Sequence, residues 1–225
     1  MPLVFQASAQ ELCQQLAQQI ADCAKTENPL RVVGFTGPPG AGKSFVVDLL
    51  ARLLAGQTAG ASPLLAGLLP MDGFHKSNAV LATESLSDAK GTPPSCDVVG
   101  YVMALHRAQD ASTVLYAPGY DRDLGEAIAA AHRIECGGTV LTEGNYLASQ
   151  DGPWAMAREA IDLLIYLDVP AETTRERLME RHTKGGKRDA AAAAQWIQSV
   201  DDPNRLIIEG TKHRCDQIWV LEPEA

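Results

Sequence analysis

A short glycine-rich segment carries the residue types and spacing of a phosphate-binding loop. Positions 37–44 read Gly-Pro-Pro-Gly-Ala-Gly-Lys-Ser, which fits the pattern G-x-x-x-x-G-K-S/T in full. Glycines let the backbone curl so that several N–H groups point inward, and a helix start adds positive dipole. Lys43 would reach the β- and γ-phosphates, and the Ser44 hydroxyl would bind Mg²⁺. The motif predicts that the chain binds a nucleoside triphosphate, and we expect ATP and magnesium.

The setting of this loop supports that interpretation over a Gly/Pro-rich turn that merely joins two elements. The β-branched run Arg31–Phe35 precedes the loop, and a helical pattern from Lys43 to Leu54 follows it. The predicted nucleotide contacts in the loop are Gly37, Pro38, Pro39, Gly40, Ala41, Gly42, Lys43, Ser44 and Phe45.

Two carboxylates follow other apolar runs of the chain. Asp72 comes after Leu64–Leu69, and Glu143 comes after Thr139–Leu141. In open α/β sheets ligands bind at the carboxyl ends of strands. We therefore predict that Asp72 acts as the general base for an attacking hydroxyl or positions it, and that Glu143 binds Mg²⁺ through water or binds substrate hydroxyls. The alternative for each is a turn former or a helix cap.

A basic segment stands out in a chain that is otherwise acidic. Its members are Arg175, Arg177, Arg181, His182, Lys184, Lys187 and Arg188. Arg177 and Arg181 share one helix face at i,i+4, where like charges repel, and Gly185-Gly186 supplies a hinge. We predict a mobile helical lid over about 175–190 that brings one or both arginines to the transferring phosphate. The alternative is a solvated helix face.

The surrounding elements alternate between helix and strand. Strands are predicted at 31–35, 64–69, 139–141, 163–169 and 217–221, and helices at 8–28, 43–54, 124–133, 171–182 and 190–200. Apolar runs without clean alternation, separated by helices, predict a doubly wound α/β domain with a mostly parallel sheet, of the P-loop NTPase fold, over 1–225. Positions 77–117 are less regular, and we expect substrate-binding loops over about 72–122.

Composition narrows the class of protein. Of 225 residues, 46% are hydrophobic and 21% are charged, which excludes disordered and fibrous chains. A formal net charge of −9 predicts no nucleic-acid or membrane partner. Apolar runs stay well short of the about 20 residues of a membrane helix, and the N-terminus lacks a signal-peptide pattern. Five cysteines without a close pair predict reduced thiols and a cytoplasmic protein.

Several blocks in order along the chain resemble the superfamily of uridine kinase, phosphoribulokinase and bacterial pantothenate kinase. Within it the sequence is most similar to a bacterial group described as fructose-transport-system kinases. The matching blocks are Pro70–His75, Lys90–Tyr101, Pro118–Arg122, Thr142–Leu147 with Pro153-Trp154, Arg177–His182 and Asp202–Asn204. Of the individual motifs, only the phosphate-binding loop is specific. The whole set of blocks in this order is much more specific than any single block.

The resemblance implies roles for further residues. It implies that Asp72 is the catalytic base, that Asp97 contacts sugar hydroxyls and that Asn204 lies beside the adenine. His75, Tyr120 and Arg122 would line the substrate pocket. The resulting expectation is an ATP-dependent kinase acting on a hydroxyl of a small sugar-like metabolite, with fructose or a related sugar favoured. Members of the superfamily are often dimers or tetramers, so a homo-oligomer is one expectation.

Three alternatives differ in how well the residues support them. A GTPase switch needs a guanine-reading Asn-Lys-x-Asp, which the sequence lacks, although Asp97–Gly100 spells D-x-x-G. Pantothenate and nucleosides stay open as acceptors, but Arg122–Glu126 and Gly185–Arg188 depart from the uridine kinase pattern, and Cys96 stands where the fructose-transport group has Phe. A more distant alternative is an ATP-binding regulatory module, which has no need of both Asp72 and a basic lid.

Overall fold

The computed structural model describes residues 1–184 and 188–222, which form ten strands and eight α-helices. The strands are β1 Leu3–Ala7, β2 Val32–Thr36, β3 Thr58–Ala59, β4 Ser62–Pro63, β5 Leu65–Leu68, β6 Leu115–Asp121, β7 Glu126–Ile134, β8 Thr139–Glu143, β9 Leu163–Asp168 and β10 Gln217–Leu221. The helices are α1 Ala9–Cys23, α2 Lys43–Leu54, α3 Asn78–Thr83, α4 Val98–Asp110, α5 Trp154–Glu159, α6 Ala171–Thr183, α7 Ala190–Trp196 and α8 Asp202–Gly210.

Six strands form the central sheet in the order β1-β10-β9-β2-β8-β5, and every neighbouring pair is parallel. The central strand β2 is buried along its whole length. Val33 and Phe35 pack on the side of α1 and α2, whereas Val32 packs on the side of α4 and α5. Helices therefore cover both faces, and the predicted doubly wound parallel α/β fold is confirmed.

The first two helices begin where the sequence predicts. The Glu11 backbone N–H donates to Ser8 Oγ at 3.2 Å, and the Ser8 N–H donates to the Glu11 carboxylate at 3.2 Å, which completes a capping box at the start of α1. α1 ends at Cys23, before the predicted end at Asn28. α2 runs from Lys43 to Leu54 as predicted, and its buried side chains include Val46, Leu50 and Leu54.

The predicted helix over Leu124–Arg133 is wrong. From Glu126 onward this segment lies in β7, which pairs antiparallel with β6 from Leu115↔Ile134 to Asp121↔Glu126. The alanines at 129–131 favour a helix by propensity, but they lie between Ile128 and His132, which both pair with β6, and this cross-strand pairing outweighs that preference. At the turn, the Asp121 carboxylate accepts the N–H groups of Asp123 and Leu124, each at 2.9 Å.

The region 77–117 is more regular than predicted, because it contains the 13-residue helix α4. Gly100 weakens the helical pattern in the sequence, but the N-cap of α4 by Asp97 requires it. A Cβ at position 100 would lie 2.2 Å from Asp97 Oδ2. The sequence reading also missed β1, which adds to the edge of the sheet beside β10, and the six-residue α5.

The cysteines and the helix lengths relate to the predictions of reduced thiols and of no membrane helix. All five cysteines are free thiols, and burial raises the pKa of Cys13, Cys96 and Cys215 to about 12. These three are therefore protonated and unreactive near neutral pH. Over residues 1–184 and 188–222, no helix is both long enough and apolar enough to cross a membrane.

Candidate active site

A cleft of about 630 Å³ opens where β2, β5 and β8 end. Because these strands are parallel neighbours, the loops that follow them meet at one edge of the sheet. The predicted site residues that line this cleft are Pro39, Gly40, Gly42, Lys43, Ser44, Phe45, Asp72, His75, Tyr120, Arg122, Glu143, Arg177, Arg181 and Asn204. Most of the predicted set is thus brought together from six separate parts of the chain.

The loop between β2 and α2 has the backbone that its glycines permit. Gly40 and Gly42 have φ of +79° and +91°, which side-chain-bearing residues rarely adopt. A Cβ on Gly40 would lie 2.6 Å from the Thr174 carbonyl oxygen of α6, so the loop and α6 are in close contact. Gly37, Pro38 and Ala41 lie behind the cleft surface, where Ala41 is fully buried.

Lys43 is the buried cation of the loop. Its Nζ donates to the carbonyl oxygens of Gly37 and Pro38 at 2.9 and 3.1 Å. Burial lowers the pKa of this ammonium to about 8, although the nearby carboxylates of Glu143 and Asp72 favour the charged form. A buried cation that is hydrogen-bonded to carbonyls can exchange those contacts for phosphate oxygens.

Ser44 and Glu143 are in contact beside the phosphate-binding loop. Glu143 is the last residue of β8 and lies opposite Phe35 of β2, so its side chain reaches the start of α2. Ser44 Oγ donates to Glu143 Oε1 at 3.2 Å. Burial raises the pKa of Glu143, and the negative charge of Asp72 raises it further, whereas the cation of Lys43 and the hydroxyl of Ser44 oppose the shift. The pair offers two oxygen atoms of the kind that Mg²⁺ prefers.

Asp72 lies in the short 3₁₀ turn Met71–Phe74 that follows β5. Arg122 Nη2 donates to Asp72 Oδ2 at 3.3 Å, which joins this turn to the end of the β6–β7 hairpin. A Cβ on Gly73 would lie 2.2 Å from the Pro118 carbonyl oxygen, so the turn lies directly against β6. This contact explains the Asp-Gly-Phe sequence: glycine is the residue that lets Asp72 be held against the hairpin.

His75 and Tyr120 form one wall of the cleft beside Asp72. Their ring centroids are 5.2 Å apart. His75 Nδ1 lies 2.8 Å from the Asp72 carbonyl oxygen, which can only accept, so Nδ1 carries the proton of this hydrogen bond. In a neutral imidazole the other nitrogen, Nε2, is then an acceptor.

The α6 cations approach the loop from the opposite side. Arg177 Nη1 donates to the Gly40 carbonyl oxygen at 3.3 Å and reaches that of Ala41 at 3.5 Å. Arg181 lines the cleft, and burial lowers its pKa, with the positive charge of Arg122 adding to the shift. The predicted motion of a lid stays a prediction, and its proposed hinge, Gly185-Gly186, and Lys187 lie outside the described residues.

Asn204 is buried at the far end of the cleft. Its Nδ2 donates to the Gly91 carbonyl oxygen at 3.3 Å, and the Tyr146 hydroxyl donates to the same oxygen at 2.8 Å. The Arg188 guanidinium lies over the Trp196 ring at 4.2 Å from its centroid, and both line the same cleft. An aromatic ring, a planar cation and an amide are groups that suit a nucleobase.

Asp97 is the predicted substrate-binding residue that the structure places apart from the cleft. It is exposed, and its Oδ1 accepts the Gly100 backbone N–H at 2.9 Å as the N-cap of α4. Its predicted contact with substrate hydroxyls stays a prediction. Sequence reasoning missed the cleft residues Lys90 and Trp196, of which only Lys90 carried a signal, as part of the block at 90–101.

Comparisons with known proteins agree with this geometry. No protein-family model matches the chain. The chain is 33% identical over 184 residues to the uncharacterised protein YggC of Escherichia coli K12, a match that covers 80% of this chain and 74% of YggC. It is 29% identical over 163 residues to a protein of Schizosaccharomyces pombe proposed to be a uridine kinase, covering 69% of this chain and 67% of that protein. It is 28% identical over 220 residues to the pantothenate kinase of Sinorhizobium medicae, covering 93% of this chain but 65% of the enzyme.

The fold has a similar solved structure in a protein of Silicibacter sp. TM1040, proposed to be a fructose transport system kinase. The TM-score is 0.80 at 29% identity, and the alignment covers 94% of this chain and 98% of that one. The chain belongs to the superfamily of P-loop kinases that includes uridine kinase and pantothenate kinase, and it is an ATP-dependent kinase. The resemblance drawn from the ordered sequence motifs is confirmed.

Proposed function

We propose that the protein transfers the γ-phosphoryl group of ATP to a hydroxyl of a small sugar-like metabolite, with fructose or a related sugar favoured. The observation that carries this proposal is that Lys43 and Ser44 of the phosphate-binding loop and the carboxylate of Asp72 line one cleft. A module that only binds nucleotide has no use for a carboxylate facing the phosphate site, whereas phosphoryl transfer needs one to receive or orient the acceptor hydroxyl.

The residues fit a magnesium ion. Ser44 Oγ and Glu143 Oε1, which are 3.2 Å apart, would hold it together with phosphate oxygens, since Mg²⁺ binds through few protein ligands in such sites. When bound, the ion neutralises charge on the β- and γ-phosphates.

The remaining steps belong to the side chains of the cleft. Lys43 leaves its carbonyl contacts and binds phosphate oxygens, while the backbone amides of the loop cradle them. Arg122 engages one oxygen of the Asp72 carboxylate, and the other oxygen receives the hydrogen bond of the acceptor hydroxyl. Arg177 and Arg181 supply positive charge next to the transferring group.

The choice of acceptor has support from the relatives. The fructose assignment proposed for the Silicibacter protein favours a sugar, because that alignment spans nearly all of both chains. Pantothenate is the second candidate, supported by 28% identity over 220 residues to a pantothenate kinase that is longer than this chain. The free thiols support a reducing, cytoplasmic location for the reaction.

The test is a panel of acceptors incubated with Mg-ATP, with the products detected by mass. The panel contains fructose and other sugars, pantothenate and nucleosides. We expect one class to gain a phosphoryl group, and we expect Lys43→Ala to remove that product while the protein still folds. Product formation that persists in Lys43→Ala contradicts the site, and ATP binding without any product contradicts transfer to these classes.

A further inference from the structure

His182 and Asp201 form a contact in the cleft that the proposed chemistry does not involve. Their side chains are each 12% exposed, and both residues line the cleft. His182 Nε2 lies 2.9 Å from Asp201 Oδ2. Because an ionised carboxylate can only accept a hydrogen bond, the proton of this bond lies on Nε2. The pair joins the last turn of α6 to the segment between α7 and α8.

Asp201 belongs to an unusual turn of the chain. Ile197–Asp201 form a π-helical turn, in which the Asp202 N–H donates to the Ile197 carbonyl oxygen five residues earlier. Such turns are rare and often occur at functional sites. Asp201 also stands directly before α8, where an aspartate commonly caps a helix, but its side chain makes no such cap. Its carboxylate is instead used on His182.

Arg181 directly precedes His182 in α6 and interacts with the charges of the phosphate site. Burial lowers its pKa, the positive charge of Arg122 lowers it further, and three carboxylates oppose the shift, those of Asp72, Asp201 and Glu143. Over residues 1–184 and 188–222, the Arg181 guanidinium forms no ion pair. Its position therefore depends on the helical turn that carries it.

The two α6 arginines of the cleft differ in how they are held. Arg177, one turn earlier, donates to the Gly40 carbonyl oxygen and is tied directly to the phosphate-binding loop. Within the described parts of the chain, the last turn of α6 reaches another segment by a side-chain hydrogen bond only through His182. A cation stabilises the transferring phosphoryl group most when it is already in place before the reaction. The contact of His182 with Asp201 is what can keep Arg181 in place.

We propose that the hydrogen bond between His182 and Asp201 is a positioning contact for phosphoryl transfer, which fixes the last turn of α6 against the π-helical turn and thereby holds Arg181 at the transferring group. The inference rests on the proposed function, in which Arg181 supplies positive charge there. Asn204 follows Asp201 by three residues and lines the same cleft, so the contact also joins the turn that carries Arg181 to the far end of the cleft.

The competing explanation is that the pair only stabilises the packing of α6 on the segment that contains α8. A second ion pair between the same elements provides the control. Arg175 of α6 pairs with Asp202 of α8, with side chains 57% and 24% exposed, and neither residue lines the cleft. Asp202→Ala thus removes a carboxylate and a tie to α6 outside the cleft, one residue away from Asp201.

The experiment is a double-mutant cycle on kcat with the wild type, His182→Ala, Arg181→Ala and the double variant. Turnover is measured at saturating Mg-ATP with D-fructose, pantothenate and uridine, and the cycle uses the compound that the wild type phosphorylates fastest. We expect His182→Ala alone to lower kcat by about 10–10²-fold, because a displacement of about 1 Å can cost about 10²-fold. In the Arg181→Ala background the same change should lower kcat by less than about threefold, because the contact then has no arginine to position.

The remaining variants separate positioning from stability. His182→Gln keeps an N–H donor for Asp201 and should turn over within about threefold of the wild type, as should Asp202→Ala. The affinity of His182→Ala for ATP, measured by calorimetry, should stay within about threefold, because the lost interaction belongs to the transition state. Thermal unfolding of each variant shows whether it folds.

Four outcomes overturn the inference. They are an equal fold loss from His182→Ala in both backgrounds, unchanged turnover in Arg181→Ala, a His182→Gln variant as slow as His182→Ala, and a loss in Asp202→Ala as large as that in His182→Ala. Transfer to none of the three acceptors by the wild type, nor to any in the wider panel, refutes the proposed function and takes this inference with it. Transfer by the wild type together with an additive cycle refutes this inference alone.

A second break of the pair covers the case in which His182→Ala does not fold. Asp201→Ala leaves a histidine that can be neutral, whereas His182→Ala leaves a carboxylate without its partner, so Asp201→Ala is the milder change. The same cycle is then run with Asp201→Ala and Arg181→Ala, with the same expected result. Failure of both His182→Ala and Asp201→Ala to fold assigns the pair to stability and overturns the inference.

Discussion

The contact between the phosphate-binding loop and α6 can be tested by adding a single carbon atom. In Gly40→Ala the new Cβ would lie 2.6 Å from the Thr174 carbonyl oxygen, about 0.8 Å inside ordinary van der Waals contact. The Thr174 oxygen belongs to helix backbone and cannot move aside as a flexible side chain would. The loop and α6 must therefore separate, and Arg177, which donates to the Gly40 carbonyl, must shift with them.

The expected effect of Gly40→Ala on stability, ATP binding and turnover has two causes, which are backbone strain and steric overlap with α6. At φ +79° alanine is strained by about 1–2 kcal/mol relative to glycine, whatever the space around it. Gly56 has φ +73° and nothing within 4 Å of an added Cβ, so Gly56→Ala carries the strain without the overlap. We expect Gly56→Ala to lower Tm by roughly 2–8 °C and to leave ATP affinity unchanged. Because a displacement of about 1 Å in a catalytic site can cost about 10²-fold, we expect Gly40→Ala to weaken ATP binding by about tenfold and to lower kcat/KM by about 10²-fold.

The assay is titration calorimetry with ATP, combined with thermal unfolding and steady-state turnover on both variants. The difference between the two alanine variants isolates the contact with α6 from the backbone strain. If Gly40→Ala and Gly56→Ala bind ATP equally well and turn over equally fast, the close packing of loop and helix does not position the phosphates, and the reasoning is refuted.

Three further predictions concern the chemistry of the cleft. Asp72→Asn should lower kcat by about 10²–10⁴-fold with ATP affinity unchanged. Its Tm should fall little, because the partly exposed ion pair with Arg122 is worth at most about 1 kcal/mol. Equal losses of turnover and ATP affinity would argue against the role of Asp72 as the base. Because the pKa of Lys43 is lowered to about 8 and its charged form binds phosphate, ATP affinity should fall as the pH rises from about 7 to 9, and calorimetry on Lys43→Ala should show no such fall. Arg177→Ala and Arg181→Ala should each slow turnover, by about 10³-fold for the one that contacts the transferring group, and unchanged turnover in both variants would remove the arginines from the mechanism.

The parts of the site that follow parallel strands were predictable from sequence. The loop at 37–44, Asp72 and Glu143 each come directly after an apolar run, and the carboxyl ends of parallel strands share one edge of a sheet. Sequence spacing therefore placed three distant segments in one cleft. The helices α2 and α6 could be predicted from the periodicity of their own apolar or charged residues, without knowledge of tertiary contacts.

The parts that depend on tertiary pairing were not predictable in the same way. The alanines at 129–131 favour a helix, and only the pairing of β7 with β6 makes them a strand. The role of Asp97 was predicted from the family resemblance alone, without the strand end that supported Asp72, and its carboxylate caps α4. Trp196 reaches the cleft through the packing of α7, which local sequence does not show. Lys90 belongs to a matching sequence block, but its place in the cleft depends on hydrogen bonds to two other segments.

The most direct test of the central claim follows the γ-phosphoryl group itself. ATP labelled in that group is incubated with the protein, Mg²⁺ and the mixture of sugars, sugar acids, sugar phosphates and pantothenate, and the labelled product is identified by mass. The structure predicts that the label appears in a phosphate ester of one acceptor, at a rate that depends on the acceptor and is lost in Lys43→Ala and strongly reduced in Asp72→Asn. Label that stays in ATP, or that appears only as inorganic phosphate at a rate independent of every acceptor, would contradict the account.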